Sequence, residues 1–173
     1  MPSATPRDQV LAKSSPVEIG PHPNQRGLYQ IESRLWLPRP IDEVFAFFSD
    51  AANLESLTPP WLRFEIVTPQ PISMQTGQLI DYRLTLRGLP LKWRSEILDW
   101  DPPRQFVDEM RRGPYRHWHH RHVFEPRDGG TDIIDVVDYA VPGGAFINWL
   151  LVQRDLHTIF EFRRQTLIEL LAR

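Results

Sequence analysis

Four of the six histidines fall at His117, His119, His120 and His122, inside the run Trp118-His119-His120-Arg121-His122-Val123-Phe124. On a strand, residues two apart share a face, and Trp118 and Phe124 select as inward the face that also carries Arg116, His120 and His122. His117 and His119 then point outward with Tyr115 and Arg121. The same alternation turns Asp135 inward with Ile133, Val137 and Tyr139, and Asp108 inward with Phe106 and Met110. A carboxylate beside an imidazole fixes its tautomer and prepares the other ring nitrogen to move a proton or to grip a ligand oxygen. Buried ionisable groups need partners, so His120, His122, Asp108 and Asp135 must pair with one another, with water or with a bound molecule. A polar cluster that fixes strand register, a set of ligand-orienting contacts and a general acid/base centre all remain open.

Other chemistries find less support. Two imidazoles on one strand face can share a metal ion, but the inward pair needs a third ligand, for which Asp135 is the one evident candidate; no metal and no cofactor are expected. The chain has no cysteine, which removes disulfides, thiolate nucleophiles and cysteine-bound zinc or iron–sulfur centres. It has no nucleophile elbow, phosphate-binding loop, dinucleotide fingerprint or HExxH pattern, so covalent catalysis has no motif behind it. Arg111, Arg112, Arg116 and Arg121 read as a solvated face, with recognition of a carboxylate or phosphate head group as the alternative.

The elements that must position these groups are legible in the apolar periods. Tyr29, Ile31, Leu35 and Leu37 mark a first strand. Pro40 opens a short helix carrying Ile41, Val44, Phe45 and Phe48, and Asp50 caps a second that stops before Thr58-Pro59-Pro60. Six strands follow, over 62–67, 78–86, 91–100, 105–111, 115–124 and 132–139, separated by turn-forming Gly, Pro and Asp. Short links between them imply an antiparallel meander. After Pro142-Gly143-Gly144 a helix runs to Ala172, about 26 residues and roughly 39 Å long at 1.5 Å per residue. The order predicts an α+β fold in which a curved antiparallel seven-stranded sheet surrounds this helix, leaving a concave space between them. Trp93 joins the inward set together with Ile97, and Tyr82 does so with Ile80, Leu84 and Leu86. On the helix, Phe146, Trp149, Leu150, Ile159, Phe160 and Arg163 are divided between sheet packing and cavity lining, without a pattern that separates the roles.

The chain has 173 residues, 41% of them apolar, and carries 20 basic against 22 acidic residues. That size fits one core, and the near-neutral balance gives no field for nucleic acid. Residues 1–27, with five prolines and no apolar period, read as a flexible leader, and residues 28–173 as the folded domain. No apolar stretch reaches the about 20 residues of a membrane-spanning helix and no signal-peptide core is present, so a cytoplasmic protein is expected, of open oligomeric state.

The order of elements, with Phe45-Ala46-Phe47-Phe48-Ser49-Asp50, Asn53-Leu54, Leu57-Thr58-Pro59-Pro60-Trp61, Gly113-Pro114-Tyr115, the histidine-rich strand and Asp135-Val136-Val137-Asp138-Tyr139, resembles the START-like (SRPBCC) helix-grip superfamily. Within it the polyketide cyclase/dehydrase-like ligand-binding branch is the most similar, over about residues 28 to 171. The resemblance implies binding of a hydrophobic or aromatic small molecule, such as a lipid, a quinone or a polyketide-like ring system. Its alternative is a cyclase/dehydratase that uses a pocket histidine as general acid/base, with His120, His122 and Asp135 as candidates. The expected contact residues are Tyr82, Trp93, Phe106, Asp108, Met110, Trp118, His120, His122, Asp135 and Tyr139.

Overall fold

The computed structural model describes residues 5–172. Eight antiparallel strands form one open sheet: β1 (Ser15–Pro21), β2 (Tyr29–Leu37), β3 (Glu65–Ile66), β4 (Leu79–Leu86), β5 (Leu89–Asp101), β6 (Gln105–Arg112), β7 (His117–Arg127) and β8 (Gly130–Ala140). Their spatial order is β1-β2-β8-β7-β6-β5-β4-β3, so the chain crosses over once, between β2 and β3, and otherwise runs as a meander. The crossover holds α2 (Ile41–Ser49), a single helical turn α3 (Asn53–Ser56) and a 3-10 turn at Pro60–Leu62. At the C-terminus, α4 (Gly144–Ile147), a π-helical segment (Asn148–Val152) and α5 (Gln153–Leu171) form one continuous rod of 28 residues. The α+β helix-grip arrangement is therefore present, with eight strands in place of seven. Among the described residues no helix is long and apolar enough to cross a membrane.

The additional strand comes from the segment expected to be a flexible leader. Thr5-Pro6-Arg7-Asp8 opens α1 (Pro6–Lys13) through a capping box, in which Thr5 Oγ1 accepts from the Asp8 amide at 3.2 Å and Asp8 Oδ2 from the Thr5 amide at 3.0 Å. β1 then pairs with β2 along the sheet edge. Several tertiary contacts hold the segment down. Val10 is fully buried in a core cluster with Leu35, Leu37, Leu167 and Ile168. Lys13 lies 3.8 Å from the centroid of the Trp36 ring, and Arg164 of α5 donates to the carbonyls of Ser15 and Arg34. These contacts explain Trp36, a large apolar residue opposite the buried Leu35 and Leu37: its indole donates to the Arg127 carbonyl at 2.8 Å under the lysine, and it is 3% exposed. High proline content hid the two elements because the prolines sit where they are tolerated, at the first turn of α1 and in the edge strand β1.

A second departure lies in β5, whose pairing with β6 shifts between Ile97 and Asp99. The bulge inserts one residue, Leu98, so Ile97 opposite Asp108 and Trp100 opposite Phe106 face the same side. Simple alternation from Trp93 and Ile97 would turn Trp100 outward; the bulge turns it inward, with its ring 5.2 Å from Phe45 and 5.7 Å from Phe106. The expected strand over 62–67 is reduced to two residues, because the chain makes a left-handed turn at Arg63 (φ 45°) first.

Docking of the N-terminal segment has a direct test. Val10→Ala should lower stability by about 2 kcal/mol, from two lost buried methyl groups and the void they leave. Chemical denaturation reads the change, and an unaltered midpoint would show that α1 does not pack against the domain.

Candidate functional site

Strand register brings the polar groups together. β7 runs between β6 and β8, and the partners are Asp108 with His120, Phe106 with His122, His120 with Val137, and His122 with Asp135. Directly opposed side chains lie on the same face, so Asp108 flanks the two imidazoles on one side and Asp135 on the other. Toward Asp135, His120 Nε2 lies 3.0 Å from Oδ1 and His122 Nδ1 lies 2.8 Å from the same oxygen. The second contact lacks hydrogen-bond alignment, leaving His122 Nδ1 in charge contact alone. Toward Asp108, His122 Nε2 is 3.2 Å and His120 Nδ1 3.8 Å from Oδ2. The two imidazole centroids are 3.7 Å apart, and His122 stacks on Phe106 at 4.1 Å.

A further layer orients this quartet. Ser95 donates to Asp108 Oδ1 at 3.2 Å and accepts from the Trp93 indole at 3.0 Å. From α5, Arg163 brings a guanidinium nitrogen to 3.7 Å from Asp135 Oδ1 and rests over the Phe48 ring at 5.2 Å. Its Nε is buried with no hydrogen-bond partner.

Burial works against every charge here, and the partners decide which survive. Asp135 is desolvated, yet Arg163 and the two imidazoles hold its carboxyl well below the ordinary carboxylate range. Asp108 is also held low against burial, by His122, His120 and Ser95. His120 is pushed down to about 4, by burial first and then by the neighbouring His122, with Asp135 offsetting only part. His122 moves the other way: burial lowers it, but the carboxylates on its two sides outweigh burial and raise it. Of the two rings His122 is therefore the one that holds a proton more readily, beside two carboxylates and Arg163, while His120 is neutral. Since Asp135 only accepts, the neutral His120 carries its hydrogen on Nε2, and Nδ1 keeps a lone pair.

The cluster forms part of the wall of an internal cavity of about 240 Å³ between the sheet and the C-terminal rod. Of the residues expected to contact a ligand, Tyr82, Trp93, Phe106 and Trp118 line it with Asp108, His120 and His122. Three do not. Asp135 sits behind the imidazoles; Met110 packs against the glycine side of Gly113, where a Cβ would strike its sulfur; and Tyr139 is fully buried, donating to Asn148 Oδ1 at 3.0 Å to fix the start of the rod. Tyr115, expected to face outward, lines the cavity because β7 begins only at His117 and alternation does not reach back to it. Arg116, expected inward, is exposed for the same reason. On the rod, Ile159, Phe160 and Arg163 line the space, whereas Phe146, Trp149 and Leu150 are exposed. The sequence reading missed the opposite wall, from Leu54, Leu57, Phe64 and Met74, since helical period shows that a face is buried but not against what. It also missed Ser95, a small polar residue in an otherwise ordinary alternation. Among the described residues, Asp108, His120 and His122 form a group able to hold a metal ion, one atom of each lying within 4.8 Å of the others.

A sheet gripping a C-terminal helix over a cavity with a polar wall defines a START-like (SRPBCC) helix-grip protein of the ligand-cavity class. The family model described as polyketide cyclase / dehydrase and lipid transport matches residues 37–163, and the chain belongs to that family. No curated protein matches. Among solved structures, protein CV1439 from Chromobacterium violaceum aligns with TM-score 0.66 at 14% identity, over 83% of this chain and 97% of that one. Protein Ms6760 from Mycobacterium smegmatis aligns with TM-score 0.64 at 17% identity, over 91% and 96%. The Zhui aromatase/cyclase from Streptomyces sp. R1128 aligns with TM-score 0.58 at 14% identity, over 82% and 94%. At these identities the likeness is one of fold.

Removing one partner of a buried charge cluster strands the others. Asp135→Ala should therefore cost about 3–5 kcal/mol, read as a shifted denaturation midpoint, because it leaves Arg163 without its carboxylate and His122 with Asp108 alone. A loss below about 1 kcal/mol would show that water already solvates the cluster.

Proposed function

We propose that the protein binds one hydrophobic or aromatic small molecule in the cavity between sheet and helix, without transforming it. The observation that carries this reading is the composition of the walls: aliphatic and aromatic side chains over most of the surface, with the polar groups gathered on one side. Burying apolar ligand area supplies the driving force, about 25 cal/mol per Å² before the costs of association. His120 Nδ1, as acceptor, and Arg163 Nε, as donor, suit a ligand whose polar end carries a hydroxyl or a carbonyl. The volume lies just below the about 300 Å³ at which drug-sized sites begin, which favours a compact ring system such as a quinone head or a short polyketide over a two-chain lipid.

A charge pair closes one edge of the cavity at Asp155. The turn at Arg87-Gly88 joins β4 to β5, and Arg87 reaches Asp155 of α5 through two hydrogen bonds of 2.8 and 2.9 Å beside the cavity-lining Leu84 and Leu86. Both partners are partly solvated, so water screens the pair and it can open at little cost.

A second reading, a cyclase/dehydratase in which His120 acts as general base, is favoured by one observation: a neutral imidazole held in one tautomer by a buried carboxylate, with its lone pair free. Catalysis would show as a turnover that His120→Gln abolishes while binding persists. Binding alone predicts that the same variant changes only affinity.

Native mass spectrometry of protein taken directly from cells, followed by identification of released compounds, tests the binding reading. The expected result is a bound aromatic or polyketide-like compound at one equivalent. Leu84→Trp, which fills the cavity, should abolish that occupancy while the fold persists. Arg87→Ala should speed release by no more than a few-fold, as expected of a solvent-screened pair. An empty wild-type protein, or equal occupancy in Leu84→Trp, would contradict the reading.

A further inference from the structure

The nitrogens that face away from Asp135 form a second constellation. His120 donates through Nε2, so its Nδ1 lone pair confronts Asp108 Oδ2 at 3.8 Å, two acceptors with no hydrogen between them. His122 Nε2 reaches the same oxygen at 3.2 Å. Two acceptors that converge on one point in a partly buried site call for a donor, a proton or a cation between them. Ligand atoms bound at about 2.0–2.1 Å around a tetrahedral ion stand about 3.4 Å apart, and the two separations bracket that value.

We propose that Asp108, His120 and His122 form a site for one divalent first-row transition ion of the zinc class, with the remaining coordination position open to the cavity. Two imidazoles and one carboxylate suit such ions better than magnesium or calcium, which take oxygen ligands. Each ligand has its own support. Asp135 receives the Nε2 hydrogen of His120 and faces Nδ1 of His122, while Ser95, itself held by Trp93, donates to the other oxygen of Asp108. Outer carboxylates of this kind fix ring orientation and raise ligand basicity at metal centres. When the ion enters, the hydrogen that His122 Nε2 shares with Asp108 leaves to solvent, and no other bond in the cluster has to break. The strand supplies the spacing: His120 and His122 share a face, and Asp108 is the direct cross-strand partner of His120. The inference does not depend on an organic ligand occupying the cavity.

Calorimetric titration of the full chain with zinc chloride, after chelation and desalting, tests the site. One equivalent should bind with micromolar or tighter affinity. Asp108→Asn and His122→Gln should each weaken binding at least about tenfold. His117 and His119, whose rings lie parallel at 6.4 Å on the opposite face, provide the control, and the double variant His117→Gln/His119→Gln should bind as the wild type does. X-ray absorption of the zinc-loaded wild type, which is independent of how the variants fold, should show two imidazoles with oxygen completing the shell. Absence of binding at millimolar zinc, loss of binding in the double variant, or a spectrum without two imidazoles would overturn the proposal.

Discussion

Two buried imidazoles packed against each other between two carboxylates are the constraint around which the rest of the molecule is arranged. Such a group is unfavourable in isolation, because each buried charge loses its hydration. It persists because strand register sets the charges in alternation and Arg163 supplies the remaining positive charge from the helix. The imidazole pair differentiates as a result. His122, with a carboxylate on each side, favours its proton; His120, beside that proton and with a single hydrogen bond to Asp135, does not.

This differentiation links fold to chemistry. A meander of adjacent antiparallel strands is the topology that sets Asp108, His120, His122 and Asp135 in one row across three strands, and the helix lying over that row converts a polar strip into one wall of a cavity. Trp93 packs edge-on against Tyr115 and Trp118, and those two meet at a tilt, with centroid separations between 4.8 and 5.7 Å, making a stiff aromatic wall beside the row. Tyr139 and Asn148 anchor the helix start from beneath, while the Arg87–Asp155 pair ties its solvent side to the β4–β5 turn. The helix is thus tied down at its buried side by an uncharged hydrogen bond and at its solvent side by a screened ion pair.

How much of this was readable in the residues alone depended on the range of the signal. The inward placement of His120, His122 and Asp135 followed from alternation within single strands, anchored by Trp118, Phe124 and Val137, and the strand pairing brings them together. Asp108 was placed inward by the same rule, but its position opposite His120, and so its role as the third member of a triad in place of Asp135, depends on inter-strand register. Trp100 seemed to contradict alternation because a bulge at Leu98 shifts the phase, an insertion no local pattern announces. The burial of Trp36, on the face opposite Leu35 and Leu37, was not legible because its cover, α1 and Lys13, comes from a segment whose prolines masked both its capping box at Thr5-Asp8 and the Val17, Ile19 alternation of β1. The far wall of the cavity, from Leu54 to Met74, rests on tertiary packing of an irregular stretch, which periodicity does not encode.

Tautomer and protonation of the two histidines at neutral pH, read from side-chain nitrogen shifts by NMR on metal-free protein, probe the central arrangement most directly. The account predicts His120 neutral with hydrogen on Nε2 and a bare Nδ1, and His122 with hydrogen on both nitrogens. Identical, rapidly exchanging tautomers on the two rings would mean that the carboxylates do not bracket them, and the ordered polar wall would be contradicted.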